Sequence, residues 1–241
     1  MDLRAVKAAS RSELAACAIA AARNAQGLLQ DAELLAGAAR TARAYSLAVL
    51  AVEGCGKAAE FTALAGMPER LRARAPVGRM LEWHQMKLVG GLLITVLPLG
   101  GVASWIAVMP ADELAQTLSI LYAPADEADR LKRRGFYVDM DRGGRIREPS
   151  EITESELTSQ LGRARQAAAS VASGLLGPHA QARLAHPPAE GVELVQELVT
   201  ALTEAGYART PKAAADVIVE AVGKFREHKG IGDIAKSPTP G

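Results

Sequence analysis

Apolar residues repeat along most of the chain with the spacing of α-helices. Over residues 11–30 they recur every three or four positions, which places them on one helix face. Over residues 32–65 they cover more than one face, so we expect the middle of this second helix to be enclosed. A break near Gln30-Asp31 is predicted to separate the two helices, with Asp31 as the cap of the second.

Further helical patterns follow, separated by residues that interrupt helices. Pro124 is expected to divide one of them, Ser150 or Thr153 to cap another, and residues 136–139 have an extended pattern. The segments are predicted at about residues 79–97, 112–134, 151–176, 191–205 and 211–227.

The composition supports an all-α fold. Aromatic residues make up only 4% of the chain, so the core must consist mainly of Ala, Leu and Val. Alanine is the best helix former, and its small side chain lets helices approach closely. With 241 residues, we expect one substantial helical domain over residues 1–176. A proline-containing linker at 177–190, a helical pair at 191–229 and a disordered tail at 230–241 are predicted to follow.

One long uncharged segment allows two interpretations. Residues 88–110 carry no charge and are numerous enough to span a bilayer, but glycines and prolines divide them. We favour a buried helix, a turn near residues 98–101 and a second apolar element over a membrane span. The N-terminal residues do not resemble a signal peptide, and Cys17 and Cys55 are too few for a disulfide scaffold. These features predict a cytoplasmic protein for which a membrane partner is not expected.

The segment around His84 carries the candidate chemistry. Arg79 precedes this histidine by five positions and Lys87 follows it by three. Cleavage of RNA by its own 2′-hydroxyl needs a base, an acid and positive charge near the phosphorane. An imidazole, with a free pKa of about 6.5, can transfer the protons, and a guanidinium can supply the charge. This chemistry requires no metal or cofactor, and none is predicted. The alternative is that His84 and Lys87 are ordinary surface or structural residues.

A second polar group is predicted on the preceding helix. Glu53 and Lys57 are four residues apart and therefore share a helix face, which Glu60 continues. They could form an exposed ion pair, or a partly enclosed Glu53 could hold a nearby Arg or His. Gly54 and Gly56 would weaken a helix interior, so their presence indicates that another backbone or a ligand comes close.

Two clusters of basic residues have two possible interpretations. They are either solvated helix ends or a surface that contacts phosphate. The net charge of +1 does not decide between these interpretations. His84 is the only histidine in the predicted helical core, so acid and base could both be imidazoles only if two chains met. A nuclease would therefore be a homodimer. The clusters comprise Arg70, Arg72, Arg74 and Arg79, and Arg130, Lys132, Arg133 and Arg134.

The order of several short motifs resembles one protein family. The motifs are AYSLAVLAVEGCGKA at residues 44–58, WHQMK at 83–87 and GFYVD at 135–139, followed by Pro149. In this order, over about residues 11–176, they resemble the AbiV family of bacterial abortive-infection proteins, in the HEPN superfamily. The family usually has two adjacent acids before the glycine-lysine step, and Gly54 stands in the second place.

The resemblance implies an all-α, HEPN-like helical bundle, here with a C-terminal helical extension. Many HEPN domains are dimeric, metal-independent ribonucleases with an Arg-x4–6-His motif, which Arg79 and His84 satisfy. It therefore implies phage defence, with RNA or the translation machinery as target. Arg79 and His84 would be catalytic, Glu53, Lys57 and Lys87 would support them, and Arg70, Arg72 and Arg74 would contact RNA.

Two further hypotheses stand beside this one. Some HEPN members are inactive, so the chain could be a non-catalytic binding module that senses or binds a phage protein. A toxin that acts on membranes through residues 88–110 is a third hypothesis.

Overall fold

Two long helices joined by a short connection form the centre of the fold. The computed structural model describes residues 2–74, 84–96, 111–137, 139–140, 143–177 and 211–230, with a few single positions and adjacent pairs between these ranges. Its helices are α1 (Leu3–Ala8), α2 (Arg11–Gly37), α3 (Thr41–Gly66), α4 (Glu69–Arg74), α5 (His84–Val96), α6 (Ala111–Phe136), α7 (Glu154–Leu175) and α8 (Pro211–Lys229).

The predicted break at Gln30-Asp31 is wrong, because α2 continues to Gly37. Buried Ala25 and Ala32 lie on either side of that point, so packing against α3 holds the helix through it. The helix ends in a Schellman motif, in which Arg40 N–H donates to Leu35 O and Ala39 N–H donates to Ala36 O. Ala39 has a φ of 54°, in the left-handed region where glycine is usual.

Helix α3 is the most enclosed element among the described residues, as its apolar pattern predicts. It packs along α2 and is also contacted by α5, α6 and α7. Its buried side chains contribute to two adjoining apolar clusters, one towards each end of the helix. Many of these side chains are alanines, which lets the helices approach one another closely. The all-α fold is confirmed.

Helix α6 runs through Pro124 without a division, contrary to the predicted pause. Leu121 and Ala125, on the two sides of the proline, are buried in the same apolar cluster, and this packing offsets the lost backbone hydrogen bond. Beyond α6, β1 (Asp139–Met140) pairs antiparallel with β2 (Ile146–Arg147).

A short 3-10 helix, Pro149–Glu151, leads into α7. The capping prediction for Thr153 is confirmed: its hydroxyl accepts from the backbone of Glu156, whose carboxylate accepts from the Thr153 backbone.

The last described helix, α8, packs on the first part of α6 and confirms the helix predicted at 211–227. Val222 and Phe225 of α8 form an apolar cluster with Leu114 of α6 and with Met109. The predicted linker and tail lie largely outside the described residues, whereas the described positions within the helix predicted at 191–205 are helical. No helix within the described part of the chain is long and apolar enough to span a membrane.

Candidate functional site

Glu53 is a buried carboxylate in the middle of α3. Its side chain is only 6% exposed, and the neighbouring residues Val52 and Cys55 belong to the apolar core. A carboxylate in such surroundings is stable only when cations and hydrogen-bond donors surround it. The contacts of Glu53 therefore define the polar centre of this bundle.

Three nitrogen groups from two other helices converge on Glu53. The Nδ1 atom of His84 lies 2.8 Å from Glu53 Oε2, and the Lys87 ammonium lies 4.0 Å from the same oxygen. The Lys132 ammonium donates to the other oxygen, Oε1. The predicted approach of His84 and Lys87 to Glu53 is therefore present in the fold.

Two glycines, which have no side chain, allow α5 to come this close to α3. A Cβ atom at Gly56 would lie 1.8 Å from the carbonyl oxygen of Lys87, and one at Gly91 would lie 2.2 Å from the carbonyl oxygen of Val52. No side chain fits into either space. The expectation that another backbone approaches Gly56 is confirmed, and this crossing places the first turn of α5 over Glu53.

A third glycine seats α6 against α3. A Cβ atom at Gly135 would lie 2.0 Å from the Ser46 hydroxyl oxygen and 2.6 Å from the carbonyl oxygen of Ala42. The Ser46 hydroxyl lies 3.0 Å from the carbonyl oxygen of Lys132, within hydrogen-bonding distance. This contact fixes the turn of α6 from which the Lys132 side chain reaches Glu53.

Asp129 is a second carboxylate beside Glu53. Its Oδ1 atom lies 2.9 Å from the Lys132 ammonium, and its Oδ2 atom lies 3.0 Å from the Arg133 guanidinium. Burial raises the pKa of Asp129, but the hydrogen bond from Lys132 and the charges of Lys132, Arg133 and His84 outweigh burial and lower it overall. We call Glu53, His84, Lys87, Asp129 and Lys132 the Glu53 cluster.

Only one member of the Glu53 cluster is largely exposed. The His84 side chain is 57% exposed, whereas those of Lys132 and Lys87 are 9% and 12% exposed. Glu53, as an ionised acceptor, requires the proton of a neutral imidazole to be on Nδ1. The arrangement therefore presents an oriented imidazole at the surface, supported from below by buried charges.

Lys57 does not join this cluster. Its ammonium lies 5.9 Å from the centroid of the Phe61 ring instead of pairing with Glu53. The next acid along the helix, Glu60, has an Oε2 atom that is buried without a hydrogen-bond partner among the described residues. Burial raises the pKa of Glu60 to about 8, against the opposing charges of Lys87 and Lys57.

The predicted arginines differ in their surroundings. Arg70 is exposed on α4, whereas Arg79 and the side chain of Arg74 lie outside the described residues. Arg72 is buried, and its guanidinium donates to backbone carbonyl oxygens, which fastens α4 to the rest of the bundle. Arg72 therefore has a structural role, and its predicted contact with RNA is wrong. The acceptors are the carbonyl oxygens of Lys7, Ala9, Leu64 and Met67.

Sequence reasoning missed Asp129 and Lys132 as members of the cluster. The sequence prediction places Lys132 in a basic cluster, either a solvated helix end or a phosphate-contacting surface, although Lys132 follows buried Ala125 and Ala128 by seven and four residues. That spacing places a lysine on the apolar face of α6, which is the signal that could have indicated a buried cation. Within the described residues, no group of three or more His, Cys, Asp or Glu side chains could hold a metal ion.

An all-α bundle in which an exposed histidine rests on a buried, cation-paired glutamate agrees with the HEPN class implied by the sequence. The family model HEPN_AbiV, described as AbiV, matches residues 13–169. The chain therefore belongs to the AbiV family of the HEPN superfamily, and this membership indicates a protein of abortive-infection defence. Comparisons with curated proteins and with solved structures gave no match.

Gly54, which stands where the family usually has a second acid, lies on the side of α3 that faces away from His84. A Cβ atom at Gly54 would lie 3.0 Å from Cβ of Ala25, because this side of α3 packs against α2. A carboxylate there would need α2 to move. The departure from the family pattern therefore affects the contact between α2 and α3, while Glu53 keeps its place beside His84.

Proposed function

We propose that the protein is a metal-independent endoribonuclease of abortive-infection defence, with His84 as its acid or base. The observation that carries this proposal is the exposed imidazole whose Nδ1 atom is held 2.8 Å from the buried Glu53 carboxylate. This contact leaves Nε2 to exchange a proton with a substrate. A histidine supported through its other nitrogen is a recurrent arrangement for general acid-base catalysis.

The chemistry follows from the two nitrogens of the ring. Nε2 of His84 accepts the proton of a ribose 2′-hydroxyl, whose oxygen attacks the adjacent phosphorus. The 5′-oxygen of the next nucleotide leaves and takes a proton from an acid, which gives a 2′,3′-cyclic phosphate and a 5′-hydroxyl. Glu53 stabilises the imidazolium formed in the first step. Arg79 is the proposed stabiliser of phosphorane charge, with Arg70 and Arg74 as RNA contacts and Lys87 as a supporting cation.

The test is cleavage of single-stranded RNA by the purified full chain in the presence of EDTA. We expect His84→Ala to lower the cleavage rate by about 100-fold or more, because the acid-base group is lost. His228→Ala is the matched control, since His228 is exposed near the end of α8. Unchanged cleavage by the His84→Ala variant, with the same product ends, would refute the assignment.

A composite site would need His84 from two chains, one as base and one as acid. Co-expression of wild-type and His84→Ala chains in equal amounts then gives about one quarter of the wild-type activity per total protein, since only pairs of wild-type chains are complete. Chains that act singly would retain about one half, and that outcome would contradict the homodimer.

A non-catalytic binding module for a phage protein is the second candidate. It is favoured by the burial of Glu53 and Lys132, because a buried ion pair can hold two helices together without any chemistry. This function predicts no RNA cleavage by the wild-type chain, and retention of partner binding by the His84→Ala variant.

A further inference from the structure

Two aromatic side chains are exposed where α6 ends. Tyr137 is 68% exposed, and Phe136 is partly exposed beside it. Their ring centroids lie 6.3 Å apart at an interplanar angle of 61°, so the edge of one ring meets the face of the other. We call Phe136 and Tyr137 the aromatic platform. In a chain with only 4% aromatic residues, this exposed pair is a surface on which a ligand could stack.

An exposed arginine borders the aromatic platform. Arg133 and Tyr137 are neighbours on one helix face, because the Tyr137 N–H donates to the Arg133 carbonyl oxygen at 3.0 Å. The Arg133 side chain is 68% exposed, although its guanidinium also contacts the Asp129 carboxylate. The exposed side of this guanidinium can donate to a phosphate.

The aromatic platform is connected to the Glu53 cluster through α6. Asp129 contacts Lys132 with one oxygen and Arg133 with the other, and Lys132 contacts Glu53. Tyr137 follows Arg133 by one turn, or about 6 Å along the helix. A nucleic-acid strand whose phosphate lay at His84 could therefore continue past Arg133 to the two rings.

We propose that the aromatic platform is a subsite that stacks an unpaired base of single-stranded RNA, with Arg133 on a neighbouring phosphate. This inference rests on the proposed ribonuclease function and adds a base-binding subsite to it. Single-stranded RNA exposes base faces that stack on aromatic rings, whereas a duplex hides them. The guanidinium of Arg133 next to the rings, and the chain of contacts that leads from Arg133 to the Glu53 cluster, favour RNA over a purely apolar protein partner.

The experiment measures binding of a short fluorescent 2′-O-methyl RNA by anisotropy. This probe lacks the attacking hydroxyl, so the wild-type full chain cannot cleave it by the proposed route. We expect Tyr137→Ala to weaken binding about tenfold, Tyr137→Leu to weaken it similarly, and Tyr137→Phe to keep it. Ile120→Ala is the matched control, because Ile120 is a 61% exposed apolar residue elsewhere on α6.

Several outcomes would overturn the subsite. They are wild-type binding by Tyr137→Ala or Tyr137→Leu, equal affinity for the corresponding duplex, or a change of oligomeric mass in Tyr137→Ala with RNA affinity unchanged, which would indicate a protein interface. RNA cleavage with Tyr137-independent binding would refute the subsite and leave the proposed function. Tyr137-dependent binding without cleavage would refute the proposed nuclease function and leave the subsite. An absence of RNA binding would refute both proposals.

Discussion

At the scale of single residues, one carboxylate determines the electrostatics of the site. Glu53 lies between His84, Lys87 and Lys132, so its negative charge compensates cations from α5 and α6. A buried ion pair adds little net stability over an apolar replacement, but removing one partner leaves the other charge buried and unpaired. The cluster is therefore sensitive to the loss of Glu53 in both stability and imidazole orientation.

We expect Glu53→Gln to lower the free energy of unfolding by about 3 kcal/mol, towards the low end for a broken buried pair because Lys132 keeps Asp129. Urea denaturation monitored by circular dichroism measures this. Glu127→Gln is the control, since that carboxylate forms an exposed pair with Arg130 and should contribute less than about 1 kcal/mol. Equal effects of the two substitutions would contradict a structural role for the buried charge.

Sequence reasoning reached part of this site. His84, Glu53 and Lys87 could be selected because a polar group stands out within an apolar helix or at the start of one. Asp129 and Lys132 were missed because they lie in a run of charged residues that looks uniformly exposed. Only the position of each residue around the helix separates the buried Lys132 from its exposed neighbour Arg133. Lys57 could contact either Glu53 or Phe61, which are both four residues away on the same helix. The sequence does not distinguish these two neighbours, and the structure shows that the Lys57 ammonium lies over the Phe61 ring.

At the scale of secondary-structure elements, a close crossing of α3 and α5 places His84 beside Glu53. Gly56 and Gly91 belong to different helices, and each faces a backbone carbonyl of the other helix. The sequence indicates such an approach from glycine in a helix interior, but it does not specify which helix approaches. Packing also overrides local signals elsewhere, since α2 passes Asp31 and α6 passes Pro124.

We expect Gly56→Ala to be strongly destabilising and to reduce any activity that depends on His84, because the added Cβ would displace Lys87 and the start of α5. The matched control is Gly162→Ala in α7, where an added Cβ meets nothing within 4 Å. That substitution should stabilise the fold by about 0.5–1 kcal/mol through helix propensity. Thermal unfolding of both variants measures the difference, and a stabilised Gly56→Ala variant would refute the close crossing.

At the scale of the whole molecule, burial sets which groups titrate near neutral pH. Burial raises the pKa of Cys55 and of Tyr45 to about 12, so both stay protonated under ordinary conditions. Glu60 differs because its raised pKa of about 8 lies within the usual working range. The packing of the bundle therefore makes its stability depend on the protonation of one buried carboxyl.

The free energy of unfolding should decrease as the pH rises from about 5 to about 8, because the folded chain keeps the Glu60 proton that the unfolded chain loses near pH 4.5. The slope is at most about 1.4 kcal/mol per pH unit. Glu60→Gln, which imitates the protonated acid, should remove this contribution, so the variant gains stability relative to wild type until about pH 8. Glu227→Gln, at an exposed position on α8, should follow the wild-type curve. Parallel curves for Glu60→Gln and wild type across this range would show that the buried carboxyl does not control the pH dependence.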